Sequence, residues 1–445
     1  MNSNILKKTV VVILPLLLAI NVTFASPGTS VPGYQGDSLR LVDIVAEVIE
    51  NHPTIKEVNE AIDAADARIG LARTGYNPEM DASVNYSNMG PVIKLTIPSM
   101  GTFQLFPENN YSAAINYRQT IYDFGRTKQN IAVETESKAV TEQMLEQAKQ
   151  KLALATINNF FTLAFLQSAI KIKEQQLVSL GEHLKHIETK LATGSATEYQ
   201  VLSTKVKISA VNSQKFDLEA ALKYQQAILN SLLGLPDDNL PVVSNDFRVE
   251  VPVVSKDSLI SFAFHNRNEM LLNEMKSSVA GLKYDLLKAM NRPVVSFMAT
   301  GGAKNGYVPE LNRIRPNYVV GVGVRIPIYD GSRTKYNLLQ AQSSINALGY
   351  EKETSRRVIS SEVREAEAYM NAANEKISQF RLQLDQAMEA FSLARVSFES
   401  GTITNLDLLD SNNAVSESRL MLMKAIIDYT ASVYRLKAAI GEKVY

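Results

Sequence analysis

The chain has 445 residues, with 46 Lys and Arg against 46 Asp and Glu, 45% apolar residues, and neither cysteine nor tryptophan. The missing cysteine excludes disulfides, thiolate metal sites, a cysteine nucleophile and a cysteine-borne lipid anchor, and the balanced charge points away from nucleic acid as a partner. Stability must come from packing or from assembly.

Lys7 and Lys8 precede an apolar run from Val10 to Ile20, and small residues surround Ala25. This pattern predicts a secretory signal peptide over residues 1–25, cleaved after Ala25. No later run approaches about 18 consecutive apolar residues, so no transmembrane helix is expected.

The mature chain is a tandem repeat. Ile121-Tyr122-Asp123 and Arg126-Thr127-Lys128 recur as Ile328-Tyr329-Asp330 and Arg333-Thr334-Lys335, a shift of 207 residues that also carries Gly194 to Gly401 and Gly234 to Gly441. Upstream the shift is 215, pairing Asn51 with Asn266 and Pro78 with Pro293. The second copy is therefore eight residues shorter between Met80 and Arg118, where a loop must absorb the difference. In chain order the first copy, 26–235, predicts a helix, strands over 79–88 and 111–121, a long helix over 125–192 and a return helix over 197–233. Residues 236–257, with Pro236, Pro241 and Pro252, read as a linker. The second copy, 258–445, repeats the order with strands over 294–301 and 318–328 and helices over 332–399 and 404–440.

In the first long helix Leu166, Ile170, Leu177, Leu180, Leu184, Ile187 and Leu191 follow four- and three-residue steps, broken only by Lys173. Ile377, Phe380, Leu384, Ala387, Phe391, Ala394 and Phe398 keep the same register in the second. These are coiled-coil seams, and a helix of that length is a rod of roughly 100 Å. Leu422, Ile426, Tyr429, Val433, Leu436 and Ile440 give the last return helix its own seam, so each long helix can pair antiparallel with its return arm.

In the strands the period falls to two. Met80, Ala82, Val84 and Tyr86 alternate with Asp81, Ser83, Asn85 and Ser87, and the other three strands behave alike. The alternation suits a transmembrane β-barrel with lipid outside and water inside, and equally a soluble sheet with one buried face. Tyrosines at the strand ends and Gly-, Pro- and Asn-rich connecting loops favour the barrel. Four strands cannot close one, and lipid tolerates no open edge. Two chains would give eight strands and a filled interior, three would give twelve and an open lumen.

The duplicated strand-to-helix motif (Ile121-Tyr122-Asp123-Phe124-Gly125-Arg126 and Ile328-Tyr329-Asp330-Gly331-Ser332-Arg333), the turns at Gly194 and Gly401, and the closing Leu233-Gly234 and Ile440-Gly441 resemble the TolC-type outer-membrane efflux protein family over the whole mature chain. The resemblance implies a mainly α fold with β: two tandem repeats giving a long coiled-coil α-barrel plus a four-strand-per-chain share of a trimeric transmembrane β-barrel. It implies a homotrimer in the cell outer membrane with its helical tunnel in the periplasm, and an equatorial belt around the linker. Its partners would be a periplasmic adaptor (membrane fusion) protein and an inner-membrane pump or ABC transporter. Such ducts serve multidrug efflux or type I protein secretion and need no cofactor.

The resemblance makes Asp407 and Asp410 the periplasmic entrance constriction. The chemistry is independent of it: carboxylates at i and i+3 share a helix face, and threefold symmetry would gather six into a cation-attracting ring. Thr193, Gly194, Ser195, Ser400, Gly401 and Thr402, near the two turns, are the expected adaptor contacts. Ile403, Gln200 and Phe398 stand where well-known members carry an arginine, an aspartate and a tyrosine that link the closed entrance; closure here would use other contacts, with Phe398 and Gln200 as candidates. His183 and His186 have a metal-compatible spacing but no further ligand, and read as a solvated pair; His52 and His265 read as structural. No phosphate loop, nucleophile elbow or zinc motif suggests an enzyme. The rival to a duct is a periplasmic or surface coiled-coil scaffold without channel activity.

Overall fold

The computed structural model describes residues 38–99, 101–236, 239–244 and 258–445. The expected signal peptide lies outside these residues, as do 237–238 and 245–257 of the expected linker. Of the linker's described residues, Val243 is buried and bridges to Leu39.

The described strands are β1 (Glu79–Asn88), β2 (Lys94–Ile97), β3 (Gly101–Gln104), β4 (Asn109–Tyr122), β5 (Val294–Lys304) and β6 (Arg315–Arg325). Four of them form an antiparallel sheet in the order β1-β4-β5-β6, while β2 and β3 pair as a separate hairpin. That hairpin occupies the connection expected to be a plain loop, and the length difference between the copies falls there: residues 89–108 join β1 to β4, whereas 305–314 join β5 to β6. β6 also stops at Arg325, short of the expected 328. Pro327 has no N–H to give a ladder, while Thr120 at the matching place in β4 continues it.

Register turns the alternation of single strands into a property of the sheet, because directly paired residues share a face. Ala82 pairs with Ile115 and Val84 with Ala113. Ile115 pairs with Gly301 and Tyr117 with Ala299. Ala299 then pairs with Val320 and Phe297 with Val322. One face is thus apolar across all four strands. The other carries Asp81, Ser83, Asn116 and Thr300, joined by hydrogen bonds from the Asn116 amide to Asp81 (2.8 Å) and from the Thr300 hydroxyl to Asn116 (3.1 Å). No described element covers the apolar face: Val84 is 84% exposed and Tyr318 83%.

The described helices are α1 (Leu41–Asn51), α2 (Pro53–Arg73), α3 (Arg126–Ala192), α4 (Glu198–Leu233), α5 (Leu259–Asn266), α6 (Asn268–Ala289), α7 (Arg333–Glu399) and α8 (Asn405–Ala439). The single first helix expected in each copy is two. Pro53 forces His52 into an extended conformation in copy one. In copy two Arg267 takes the same conformation without a proline, held by its guanidinium on Glu269 (2.8 Å), Glu362 (2.7 Å) and the Ala439 carbonyl (3.3 Å).

Both long helices run through the whole helical layer. At the sheet end the order is α2-α3-α6-α7, and at the far end α4-α3-α8-α7. The most apolar stretch of α3 is long and apolar enough to cross a membrane by composition, yet it forms the core. Ile157, Phe160 and Leu163 are buried there against Val48, Leu229 and Ile427. In the lower half Leu166, Leu180 and Ile187 are buried at seven-residue steps, and Lys173 fills the missing step at 5% exposure, donating to Gln176 (3.2 Å). The outer flanks are unpaired: α4 exposes Leu202, Val206, Phe216 and Tyr224, and α7 exposes Leu382, Leu393 and Val396.

Gly302 marks the closest approach in the sheet, since a Cβ there would lie 2.2 Å from the Ala113 carbonyl oxygen. Gly302→Ala is expected to destabilise the sheet by about 2 kcal/mol through overpacking. Gly301→Ala, with nothing within 4 Å, leaves the thermal unfolding of the β signal in circular dichroism unchanged.

Candidate functional site

At the end of the layer away from the sheet, two tight turns reverse the chain. Each begins with a glycine in the left-handed region, Gly194 at φ 76° and Gly401 at φ 78°. The Gly194 N–H donates to Leu191 (3.0 Å) and the Ser195 N–H to Lys190 (2.8 Å); Gly401 to Phe398 (3.2 Å) and Thr402 to Ser397 (2.9 Å) repeat the arrangement. This is the Schellman motif, which satisfies the last carbonyls of α3 and α7 and needs a residue without Cβ strain at the glycine. The Thr193 hydroxyl donates to Lys190 (3.0 Å) and the Ser400 hydroxyl to Ser397 (3.0 Å). All six residues expected to meet an adaptor, Thr193, Gly194, Ser195, Ser400, Gly401 and Thr402, are exposed in these turns.

The return helices start with reciprocal caps. In α4 the Thr197 N–H donates to the Gln200 side chain (3.0 Å) while the Gln200 N–H donates to the Thr197 hydroxyl (3.4 Å). In α8 the Thr404 N–H (2.9 Å) and hydroxyl (2.6 Å) donate to Asp407, whose own N–H donates to the Thr404 hydroxyl (3.3 Å). Gln200 and Asp407 are repeat counterparts, 207 residues apart, serving one local purpose. The Thr-x-x-Gln and Thr-x-x-Asp spacing is a signal from which both caps were readable.

Asp407 and Asp410 are both exposed on the first turns of α8. The Thr404 hydroxyl and N–H hold the Asp407 carboxyl below the usual carboxylate range. The charge at this turn is thus preserved into acid, and the N-terminus of α8 favours it further.

Phe398 and Ile403 face the chain's own interior, in an apolar cluster with Ile187, Val201 and Leu408. The Lys190 ammonium lies 5.0 Å from the Phe398 ring centroid. His183 departs from the expected solvated pair. It is half-buried, edge-on to Phe398 (5.2 Å between centroids), and its Nε2 is 2.7 Å from the Asn405 side-chain oxygen. Burial pushes its imidazole below the ordinary value, although the Asn405 hydrogen bond works the other way. His186 is exposed. Asn405 has no local sequence signal, because its partners come from two helices more than 200 residues away.

Comparison with known proteins fits this architecture. The sequence profile of the outer membrane efflux protein family matches residues 44–235 and 259–442. The outer membrane protein TolC of Vibrio cholerae is 22% identical over 90% of this chain and 90% of its own length. The alkaline protease secretion protein AprF of Pseudomonas aeruginosa is 21% identical over 91% of this chain and 85% of its own. The crystal structure of the outer membrane protein VceC from Vibrio cholerae superposes with a TM-score of 0.74 at 16% identity, covering 91% of this chain and 97% of that one.

Since the cap depends on an ionised Asp407, its contribution to α8 is present above the unfolded carboxylate pKa and is lost as pH falls through the depressed folded value. Amide exchange at residues 405–410 is expected to accelerate in that acid range. Asp407→Gln, which copies the cap of the first repeat, should remove the pH dependence while keeping the protection.

Proposed function

This chain belongs to the outer membrane efflux protein family and resides in the outer membrane, and on that premise we propose that three copies form a continuous duct that passively conducts cargo from the periplasm to the exterior. The observation that carries this reading is the unbroken apolar face of β1-β4-β5-β6, uncovered and open at both edges. Hydrocarbon suits the face, but unpaired N–H and C=O groups at β1 and β6 cannot stay in hydrocarbon. A neighbouring copy supplies the missing strand. A soluble scaffold would leave the same face in water, which argues against it.

The internal repeat specifies how the copies meet. Applied to the β1–β4 pair Glu79–Arg118, the two shifts give Val294–Arg325, the pair found between β5 and β6. Applied to the β4–β5 pairs Arg118–Met298 and Tyr117–Ala299, they give Arg325 opposite Ser83 and Val324 opposite Val84 across the β6–β1 joint between copies. This keeps the apolar residues on the lipid side. The α3–α8 contact translates likewise into α7 against α4 of the next copy, covering Leu202, now 54% exposed. Three copies close twelve strands around a lumen, whereas two would leave a nearly filled barrel.

In this duct Asp407 and Asp410 form a ring of carboxylates at the periplasmic entrance that admits cations more readily than anions. The exposed turns at Gly194 and Gly401 receive a periplasmic adaptor, which couples the duct to an inner-membrane pump or ABC transporter. The chain itself performs no chemistry on what passes.

The native chain has no cysteine, so engineered pairs report without background. Ser83→Cys combined with Arg325→Cys should oxidise to species up to a covalent trimer, while Val84→Cys with Arg325→Cys, on opposite faces, should not. In planar bilayers the purified trimer should be cation-selective, and Asp407→Gln with Asp410→Asn should weaken both selectivity and block by multivalent cations. A soluble monomer without channels would sink the duct.

A further inference from the structure

The contact between α3 and α8 in the lower half carries a run of polar side-chain pairs. Within the hairpins Leu180 packs with Val211 and Phe398 with Leu408 in apolar clusters. Between α3 and α8 the contact is mixed: Leu409 lies in the cluster of Leu180 and Val211, and Leu408 in that of Ile187 and Val201, with polar side chains meeting beside them. Gln176 donates to Asn413 (3.3 Å), Asn412 to Ser179 (2.9 Å) and Arg419 to Gln175 (3.2 Å). Two oxygens on that side of α8, Asn412 Oδ1 and Ser416 Oγ, are buried without a hydrogen-bond partner. Polar side chains can exchange these bonds for water at small net loss, and the orphaned oxygens would gain by it.

Beyond these polar pairs sits Asn405, the first residue of α8, 4% exposed. Its amide nitrogen lies within hydrogen-bond distance of the Ser203 hydroxyl (3.1 Å), the Thr204 hydroxyl (3.2 Å) and the Gln200 carbonyl (3.3 Å), all in α4. Its side-chain oxygen accepts from His183 Nε2 in α3 (2.7 Å). With Asn405 set this way, His183 must be the donor, so its Nε2 carries the proton. Phe398 backs the imidazole from α7. One side chain thus joins the start of α8 to both helices of the other hairpin, two residues before Asp407.

The internal repeat shows that the arrangement is not a general device for packing these helices. The counterparts of Asn405 and His183 in the other copy are Glu198 and Ala390, both exposed. In the ring of helices such a bond can form within each chain but not at the joint with the next one.

We propose that Asn405, oriented by His183, is the positioning residue that holds the Asp407- and Asp410-bearing turn against α3 and α4 with the entrance narrow, and that its release widens the entrance. The proposal rests on the duct reading above. It assigns closure of the entrance to a bond inside each chain.

The test uses the full-length trimer with two readouts, single-channel conductance and amide exchange over residues 404–410. Asn405→Leu and His183→Leu should each raise the resting conductance and speed exchange at least threefold. The double variant should do no more than either, and His183→Gln, which keeps a donor, should restore native behaviour. Native conductance from a folded, trimeric Asn405→Leu overturns the latch and leaves the duct reading intact. Additive effects of the two leucine variants would overturn it too, by showing that the residues do not act through one bond. Channels absent from the native protein would remove the duct reading; the proposed holding of the turn would then stand or fall with exchange alone.

Discussion

A strand edge in hydrocarbon has nowhere to place its N–H and C=O groups, and this constraint governs the rest of the molecule. The chain builds a sheet whose apolar face continues across four strands, then leaves both edges open. The same incompleteness recurs in the helical layer, where α4 and α7 turn apolar stripes outward. Strand edges and helix flanks come from the same repeat, so a neighbouring copy that completes one also completes the other. Duplication within the chain thereby supplies most of the rule for association between chains.

At the other end of the layer the demands are different. The turns must reverse long helices sharply, and each does so with a glycine C-cap followed within a few residues by a threonine N-cap. The two repeats use one cap design with different chemistry. Gln200 caps without charge, while Asp407 caps and brings a carboxylate that its hydrogen bonds keep ionised. A residue with a local structural duty therefore also supplies the charge assigned to the proposed entrance, so removing it without a replacement cap would confuse loss of charge with loss of the helix start.

The two hairpins meet through both apolar and polar side chains near the turns. Beside Leu408 and Leu409, amides and hydroxyls of α3 and α8 face one another, and Asn412 Oδ1 and Ser416 Oγ are buried without a hydrogen-bond partner. Where these contacts reach the turn before α8, the bond of His183 with Asn405 adds a polar tie that joins α3, α4 and α8.

The repeat, the heptad seams, the alternation of the strands and the glycine turns were legible in the sequence because each is a local or periodic pattern: backbone geometry fixes the period of two or seven, and a positive φ asks for glycine. On these patterns the family resemblance and the mainly helical fold with four strands in the sheet could be read. The breaks at Pro53 and Arg267 differ instructively, since proline announces its break and Arg267 makes the same one through partners on α7 and α8. Tertiary structure alone decided that the apolar residues of four separate strands share one face, because register is a relation between strands. It alone took His183 out of solvent and Asn405 into a three-helix junction, because their hydrogen bonds join residues more than 200 positions apart, and no period or spacing along the chain records such a meeting.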